Sequence, residues 1–205
     1  MEYSKESLDR QQKIQNMKDA WIICYANNFR WKIDIKKIRQ ESEKQYKQVD
    51  SLMESWAEWI FKTAGRIISS RGMWKLTFAK LRDNSSDIQV CFMRDKVIFN
   101  TWRKLVQEIE IWWESKTAYK IAEKFCQVWD YIWIIWDLFL TKHQELTLFV
   151  KEFQILSKAV RPLPEKFHWV QDQETIYRQR YLDLIMNQNS YDRFHFRSDL
   201  VKAIR

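Results

Sequence analysis

Glycine is the residue that this sequence most clearly lacks. Only 2 of its 205 residues are glycine, whereas a typical share of ~7% would give about 14. Tryptophan is over-represented, with 12 copies. The number of glycines and tryptophans taken together equals the expected number of glycines. This agreement raises the question of whether some of the tryptophans stand in place of glycine.

Long apolar runs are also absent. The most apolar stretch, residues 128–140, is interrupted by Asp130 and Asp137, and the mean hydropathy is −0.55. A membrane-spanning helix needs about 20 mostly apolar residues, so none is predicted. The first residues, MEYSKESLDRQQK, contain no apolar segment that could act as a signal peptide, and export is not expected.

Cysteine and histidine are scarce, with three of each. Cys24, Cys91 and Cys126 lie far apart, and none has a second cysteine or histidine at metal-ligand spacing. We expect reduced, half-buried thiols in a cytoplasmic protein, and no metal site. The histidines are interpreted as structural or surface residues: His143, His168 and His195.

Acidic residues are missing from one basic window, residues 59–82. The net charge of +8 favours an anionic partner, although a solvated basic surface explains it equally well. The window concentrates positive charge in one local element, where an anion is expected to bind. Its cations are Lys62, Arg66, Arg71, Lys75, Lys80 and Arg82.

The hydrophobic pattern changes along the chain from helical to strand-like. Residues 4–19 and 34–49 favour surface helices, and residues 103–126 a further helix. Strands are predicted by a period of two. They cover about 60–70, then 75–81, 87–93, 130–140 and 145–156. Five strands with a helix before the fourth predict an α+β chain with a five-stranded OB-fold barrel.

The two prolines, Pro162 and Pro164, predict a stiff extended connector. After it, residues 175–187 and 191–205 return to a helical pattern. The predicted division is a helical extension, the barrel, a linker and an incomplete second domain. Their bounds are 1–57, 58–160, 161–174 and 175–205.

Two segments carry a resemblance to a known family. ILSKAVRPLPEKFHWVQDQETIYRQRYLDLIMN (155–187) closely resembles the junction between the anticodon-binding and catalytic domains of class II lysyl-tRNA synthetases. TAGRIISSRGMWKLTFAKLRDNSSDIQVCF (63–92) is similar to the first three barrel strands of that family, and WIICYANNF (21–29) to the end of its N-terminal helix. Aspartyl and asparaginyl synthetases share the barrel but are not expected to carry the RPLPEKFH and YRQRYLDL strings.

The resemblance implies which residues would read the anticodon of lysine tRNA. Phe78 would stack on the central uridine, Gln89 would hydrogen-bond its edge, and Arg66 and Glu145 would make further contacts. Unstacked loop bases need an aromatic platform and polar groups at the base edge. The auxiliary phosphate contacts would come from the basic window: Arg71, Lys75 and Lys80.

Each of these residues also has an ordinary structural interpretation. A phenylalanine in a strand usually belongs to the core, and strict alternation puts Phe78 on the same face as Leu76. Gln89 could be an unremarkable strand residue, and Glu145 could cap a turn.

For the whole enzyme, the resemblance implies ATP- and Mg²⁺-dependent attachment of lysine to tRNA by a homodimer. RFHFRSDLVKAIR (193–205) resembles only the opening helix of the first class II motif, and the second and third motifs are absent. The chain is therefore predicted to bind tRNA without catalysis and without ATP or Mg²⁺. The alternative is a free-standing OB-fold nucleic-acid-binding module.

Tryptophan stands repeatedly where the family has glycine. The positions are Trp21, Trp74, Trp129, Trp133, Trp136 and Trp169. An indole cannot supply the left-handed backbone or the close approach that glycine permits. One hypothesis is that the codon UGA encodes glycine here and has been written as tryptophan; genuine tryptophans that form a stacking surface are the alternative. Ser86 and Gln144 also replace family glycines, and recoding does not explain them.

Overall fold

A computed structural model describes residues 4–26, 29, 32–45, 61–111, 114–141, 143–161, 163 and 172–205. The chain divides into two compact units, Met1–Arg161 and Pro162–Arg205. Most of the proline-containing linker predicted over 161–174 lies outside the described residues.

Two helices open the first unit. Helix α1 spans Lys5–Asp19, and its N-cap Ser4 accepts a hydrogen bond from the backbone N–H of Ser7. Helix α2 spans Ile35–Gln45. Both predicted helices are confirmed, although residues 46–49 of the second lie outside the described part of the chain. Each helix turns a narrow apolar stripe towards the core, with Ile14 and Met17 buried on α1 and Ile35 and Ile38 on α2.

Nine strands and one helix follow in the described residues of this unit. Strand β2 alternates buried and more exposed positions, as expected for a sheet with one solvated face. The strands are β1 Phe61–Met73, β2 Leu76–Arg82, β3 Asp87–Met93, β4 Ile98–Asn100, β5 Leu105–Val106, β6 Glu108–Ile111, β7 Glu114–Thr117, β8 Tyr131–Leu140 and β9 Leu146–Ser157, with helix α3 Ala118–Lys124 before β8.

Five of these strands form a closed circuit of pairings. The order is β1–β2–β3–β9–β8 and back to β1. The β3–β9 pairing is parallel, and the other four are antiparallel. The helices and the mostly antiparallel sheet agree with the predicted α+β class. The five strands of the circuit correspond to the five predicted strands.

The helix predicted over residues 103–126 is largely wrong. Three short strands, at Leu105–Val106, Glu108–Ile111 and Glu114–Thr117, lie in this region, and among its described residues only Ala118–Lys124 is helical. The hydroxyl of Thr117 accepts from the N–H of Lys120 and fixes the start of this short helix. The alternating EIEI segment of β6 has a period of two, which short-range helix propensity obscures.

The core lies inside the strand circuit and beneath the helices. Its largest fully buried side chains include Trp136, Phe92, Phe99 and Phe153. Rings pack edge-on or tilted, with the Phe92 and Phe153 centroids 5.5 Å apart.

A buried polar network ties the ends of the circuit together. Asp130 and Lys158 form an ion pair in which both side chains are fully buried, and Lys158 also donates to the carbonyl of Phe125. The Asp130 carboxylate accepts from the backbone N–H groups of Gln127 and Ala159 at 2.7 and 2.8 Å. Arg10 of α1 donates to the carbonyl of Ala159 at 3.1 Å, so the network connects the helix, the turn before β8 and the end of β9.

The second unit contains three helices in its described residues: α4 Gln173–Arg178, α5 Arg180–Met186 and α6 Gln188–Ile204. The helical prediction for 175–187 and 191–205 is confirmed, with breaks at Gln179 and Asn187. Arg180 pairs with the buried Asp183 at 3.0 Å and lies over the ring of Tyr177. No helix among the described residues is both long and apolar enough to cross a bilayer.

Candidate nucleic-acid interface

The outer face of β2 presents Phe78 towards solvent. Along this strand, Thr77, Ala79 and Leu81 are buried, whereas Phe78 is only half-buried. Because side chains alternate across a strand, Phe78 lies on the outward face. The predicted alternation is confirmed, and Phe78 is not among the buried core residues.

Strand register gives Phe78 a basic neighbour. Arg71 of β1 is its direct cross-strand partner and is exposed. Lys80, two residues further along β2, is exposed on the same outer face. Lys75 is exposed in the two-residue turn that joins β1 to β2. Two of the three predicted auxiliary cations therefore flank the ring on the sheet, and the third lies at the end of the hairpin.

Gln89 continues the same face onto β3. It pairs in register with Lys80 of β2 and with Thr147 of β9. Its amide Nε2 donates to the Thr147 Oγ1 at 2.9 Å. This bond fixes the side chain and directs the amide along the sheet surface, and the amide oxygen can still accept from a ligand.

Arg66 completes the face on β1, where its opposite neighbour on β2 is another arginine. Arg66 pairs with Arg82, and like charges directly opposite each other are destabilising. The Cζ of Arg66 lies 4.6 Å from the centroid of the Tyr131 ring, and Arg82 contacts Asp87 at 3.3 Å. The aromatic ring and the carboxylate separate the two guanidinium groups.

Asp87 contacts three cationic side chains at the edge of this face. Its carboxylate lies within 3.3 Å of the Lys80 and Arg82 nitrogens and 3.9 Å from Arg39 of α2. Arg39 also donates to the Asp87 carbonyl at 2.6 and 2.9 Å. One carboxylate among three cations leaves the local charge positive, which favours a phosphate.

Glu145 lies just before β9, two residues from Thr147. It is exposed, its N–H donates to the Thr141 Oγ1 at 3.1 Å, and its carbonyl accepts from the Thr141 N–H at 3.0 Å. The backbone of Glu145 therefore belongs to the β8–β9 turn. Alternation from Thr147 puts its side chain on the same side of the sheet as Gln89.

Sequence reasoning missed two aromatic residues on this face. Phe149 is the direct β9 partner of Cys91, which is in turn the β3 partner of Phe78, and Phe149 is half-buried. The second is Tyr131, whose ring lies beneath the Arg66 guanidinium. The alternation of ELTLFVKEF could have indicated Phe149, because Leu148 and Val150 point into the core. Only the pairing of β1 with β8 reveals Tyr131.

The arrangement combines a half-exposed aromatic ring, a fixed amide, an exposed carboxylate and several cations on one continuous sheet surface. Rings bind the face of a base, amides and carboxylates read its edge, and cations hold the backbone. These chemical groups suit a single-stranded nucleic acid.

The three thiols are buried, and the described histidines include one surface pair. Burial raises the pKa of Cys91 to about 12 and that of Cys126 to about 12, and it also raises the pKa of Cys24. His195 forms a surface pair with Asp199 at 3.0 Å, and His168 lies outside the described residues. Within the described ranges, no three His, Cys, Asp or Glu side chains are placed to hold a metal ion.

Comparison with known proteins extends over the whole chain. A lysine–tRNA ligase of Magnetococcus marinus is 34% identical over 204 residues, which cover 100% of this chain and 36% of the relative. One from Haemophilus influenzae is 35% identical over 207 residues, again covering 100% of this chain and 36% of the relative. One from Wigglesworthia glossinidia brevipalpis is 33% identical over 205 residues and is covered to 37%. No protein-family model matches the chain.

Similarity of this extent places the chain among the aminoacyl-tRNA synthetases. Within this class it belongs to the lysine–tRNA ligase family and corresponds to the N-terminal part of its members. The chain spans about a third of the length of the relatives that it matches.

Proposed function

We propose that the closed circuit of five strands is an OB-fold barrel and that its outer face binds the anticodon loop of lysine tRNA. The observation that carries the proposal is the shared face of Phe78, Gln89 and Arg66. Through their pairing register, three different strands bring a ring, an amide and a guanidinium onto one face of the sheet. The parallel β3–β9 pairing that closes the circuit supports the OB-fold assignment.

The chemistry of each residue suits a uridine-rich loop. Phe78 offers a half-exposed ring for stacking, a contact worth ~1–3 kcal/mol per base. Gln89 already donates its Nε2–H to Thr147, and its amide oxygen can accept the N3–H of a uracil. The exposed carboxylate of Glu145 can accept from an amino or imino group of a neighbouring base.

The cations would hold the phosphate backbone around the stacked base. Arg71 flanks Phe78 across the hairpin, Lys80 follows it on the same strand, and Lys75 lies at the hairpin end. Arg66 lies further along the face, where it can contact a phosphate or a base edge. Cations at several points along the sheet match a strand that crosses it.

For the whole protein, we propose ATP- and Mg²⁺-dependent ligation of lysine to its tRNA in the cytoplasm by a homodimer. In this proposal, residues 58–160 form the barrel, 1–57 precede it as a helical extension, 161–174 link it to the next domain, and 175–205 begin the catalytic domain. The chain itself supplies tRNA binding. ATP and Mg²⁺ would be held by catalytic motifs that the family carries and residues 1–205 do not contain.

Binding to anticodon stem-loops tests this proposal. The chain should prefer the stem-loop of lysine tRNA over one with a scrambled loop, as measured by fluorescence anisotropy at fixed salt. Phe78→Ala should lose most of this preference, with an affinity loss of about 1–3 kcal/mol. Circular dichroism should show an unchanged fold, because Phe78 is not part of the buried core.

Two controls sharpen this experiment. Phe78→Tyr retains a ring and should bind almost as tightly as the unmodified chain. Leu8→Ala removes an exposed apolar side chain from helix α1, outside the Phe78–Gln89–Arg66 face, and should leave binding unchanged. Equal binding of the matched and scrambled loops would refute anticodon reading and favour a general single-strand-binding module. Unfolding of Phe78→Ala and Phe78→Tyr would return Phe78 to a structural role.

A further inference from the structure

The backbone adopts a left-handed conformation at a set of residues that includes four tryptophans. Among the described residues, six non-glycine residues have a positive φ. The tryptophans are Trp21 at 59°, Trp74 at 52°, Trp102 at 78° and Trp129 at 81°; the other two residues are Asp95 at 65° and Gln144 at 61°. Neither of the two glycines has a positive φ.

Tryptophan is a poor residue for this conformation. A positive φ brings the Cβ close to the backbone, and only glycine, with occasional asparagine or aspartate, visits this region routinely. Asp95 is therefore unsurprising. Four bulky aromatic residues in the same region form a systematic pattern, because the described part of the chain contains only two other tryptophans, Trp133 and Trp136.

The end of helix α1 shows which residue its backbone favours. The N–H of Ile22 donates to the carbonyl of Met17 at 2.9 Å, and the N–H of Trp21 donates to that of Lys18 at 2.9 Å. These two bonds define a Schellman motif, in which the residue at the position of Trp21 is left-handed and usually glycine.

The hairpin between β1 and β2 gives a second, independent case. Met73 pairs with Leu76, so Trp74 and Lys75 form a two-residue turn. Trp74 has a positive φ and Lys75 does not. A left-handed first position followed by an ordinary second position is the pattern of a type II′ turn, which strongly favours glycine at the first position.

The remaining two tryptophans are in tight loops held by their own backbone. The N–H of Trp129 donates to the carbonyl of Ile67 at 2.7 Å, and the N–H of Trp102 donates to the Oδ1 of Asn100 at 2.8 Å. In both cases the backbone N–H, a group that glycine also has, makes the hydrogen bond that holds the loop.

The exposed indoles gain little packing in return for this backbone strain. Trp74 is 98% exposed, Trp21 is 72% exposed and Trp102 is 44% exposed. The Cζ of Arg103 lies 5.3 Å from the centroid of the Trp21 ring. A cation–π contact at such an exposed site contributes little stability. Trp21, Trp74 and Trp102 therefore have the backbone requirements of glycine without the burial that would justify tryptophan.

We propose that the cell that makes this protein inserts glycine at these positions, because it reads as glycine the codon written here as tryptophan. UGA is the codon with this ambiguity. The backbone carries the proposal at Trp21, Trp74, Trp102 and Trp129, and the shortage of glycine in the whole sequence agrees with it. The proposal is independent of any tRNA-binding role.

If UGA encodes glycine, it does so at every position where it occurs, including positions within strands. Trp133 and Trp136 both lie on β8, and the pairing of β8 with β9 shifts register between Ile135 and Trp136. Such a bulge is a common place for glycine. Trp169 and the other five tryptophans lie outside the described residues. Gln144 has the same left-handed backbone, but its codon is unrelated to UGA, so an ordinary substitution explains it.

Mass spectrometry of the protein purified from its own cells tests the decoding directly. Proteolytic peptides spanning residues 11–30, 72–80, 97–104 and 127–140 should each be lighter than the printed sequence requires, by the mass difference between tryptophan and glycine at every converted position. Tandem spectra should locate glycine at Trp21, Trp74, Trp102 and Trp129. Tryptophan at these four positions would overturn the proposal.

A stability experiment separates the backbone requirement from simple removal of the indole. The printed chain is made from ordinary codons, with either glycine or alanine at Trp74. Alanine retains the Cβ, so Trp74→Gly should have a folded-to-unfolded ratio about 5- to 30-fold higher than that of Trp74→Ala. Denaturant unfolding followed by circular dichroism measures this ratio.

Lys75 provides the matched control in the same turn. Because it has no positive φ, Lys75→Gly should be no more stable than Lys75→Ala. Equal stability of the two Trp74 variants would show that the backbone does not favour glycine there, and would contradict the proposal. If the printed chain does not fold, the comparison is made in the background with glycine at Trp21, Trp102 and Trp129.

Discussion

Lys158 and Asp130 form an ion pair in the first unit whose two side chains are both fully buried. Two backbone N–H groups and one carbonyl complete its hydrogen bonds. A buried charge without a partner is costly because the low-dielectric interior does not solvate it. The two residues therefore depend on each other, and on the chain segments before β8 and after β9.

Replacing Lys158 with methionine should destabilise the chain severely. The Asp130 carboxylate would remain buried without its cation, at a cost of about 3–5 kcal/mol in the free energy of unfolding. Urea denaturation followed by circular dichroism measures the loss. Lys13→Met, which removes a surface partner of Asp9, should change stability by only about 0.5 kcal/mol. Equal effects of the two substitutions would contradict this role of Lys158.

Individual residues also show how far the sequence predicts the candidate site. The alternation in KLTFAKL allowed Phe78 to face outward, but it did not determine which side of the sheet would be the core. The burial of Thr77, Ala79 and Leu81 decides this, and it depends on contacts with distant segments. The Thr77 hydroxyl, for example, donates or accepts across 3.1 Å to the Tyr119 hydroxyl of α3.

At the scale of elements, Asp83 attaches helix α2 to the turn between β2 and β3. Its carboxylate accepts from the backbone N–H of Ile35 at 2.9 Å and from the Ser85 hydroxyl at 2.7 Å, with further bonds from the N–H groups of Ser85 and Ser86. Partial burial acts to raise the pKa of Asp83, but these hydrogen bonds outweigh it and hold the pKa below its ordinary value. The ionised form therefore stabilises the fold.

This attachment should weaken in acid. Because the folded-state pKa is lowered, the contribution of Asp83 is complete above the ordinary carboxyl range and is lost as the pH falls through the folded value. Asp83→Asn should reduce stability at pH 7 by about 1–2 kcal/mol, and the difference from the unmodified chain should shrink below about pH 4. Thermal unfolding at a series of pH values measures the effect.

Asp95→Asn is the matched control for the loss of one negative charge. Asp95 is exposed in the turn after β3 and has a left-handed backbone that asparagine also tolerates. Its substitution should change stability little at either pH. A constant difference between Asp83→Asn and the unmodified chain from pH 7 to pH 3 would rule out the ionisation of Asp83 as the cause.

Elements differ in how well the sequence predicts them. The long strands and both N-terminal helices follow from their hydrophobic periods, because each repeats its pattern over several turns or residues. The helix predicted over residues 103–126 is largely wrong because each of the strands β5, β6 and β7 has only two to four residues. A pattern this short cannot be distinguished from a helix without its hydrogen-bonded partner.

At the scale of the whole molecule, the net charge of +8 is unevenly distributed. The residue 59–82 window has no acid of its own, and the Asp87 carboxylate offsets only part of its charge. Long-range attraction to a nucleic acid should therefore be directed to the β1–β2–β3 face. This attraction depends on released counterions and falls with salt.

Affinity for the lysine stem-loop should decrease linearly on a log–log plot against salt concentration. Replacing both Arg71 and Lys75 with alanine should reduce the magnitude of this slope by roughly 0.7–1 for each cation removed. Lys202→Ala, in the last helix of the second unit, should leave the slope unchanged. An unaltered slope for the Arg71 and Lys75 variant would show that these residues do not contact phosphate.

The sequence by itself determined the periodic elements, the basic window and the family, because these depend on local pattern and on matching strings of residues. It could not determine that β3 pairs with β9, that Phe149 and Tyr131 join the candidate face, or that Asp130 and Lys158 meet. These features require residues far apart in the chain to come together. The left-handed backbone at Trp21 and Trp74 also emerged only in three dimensions, because φ is fixed by the hydrogen bonds of the surrounding turn.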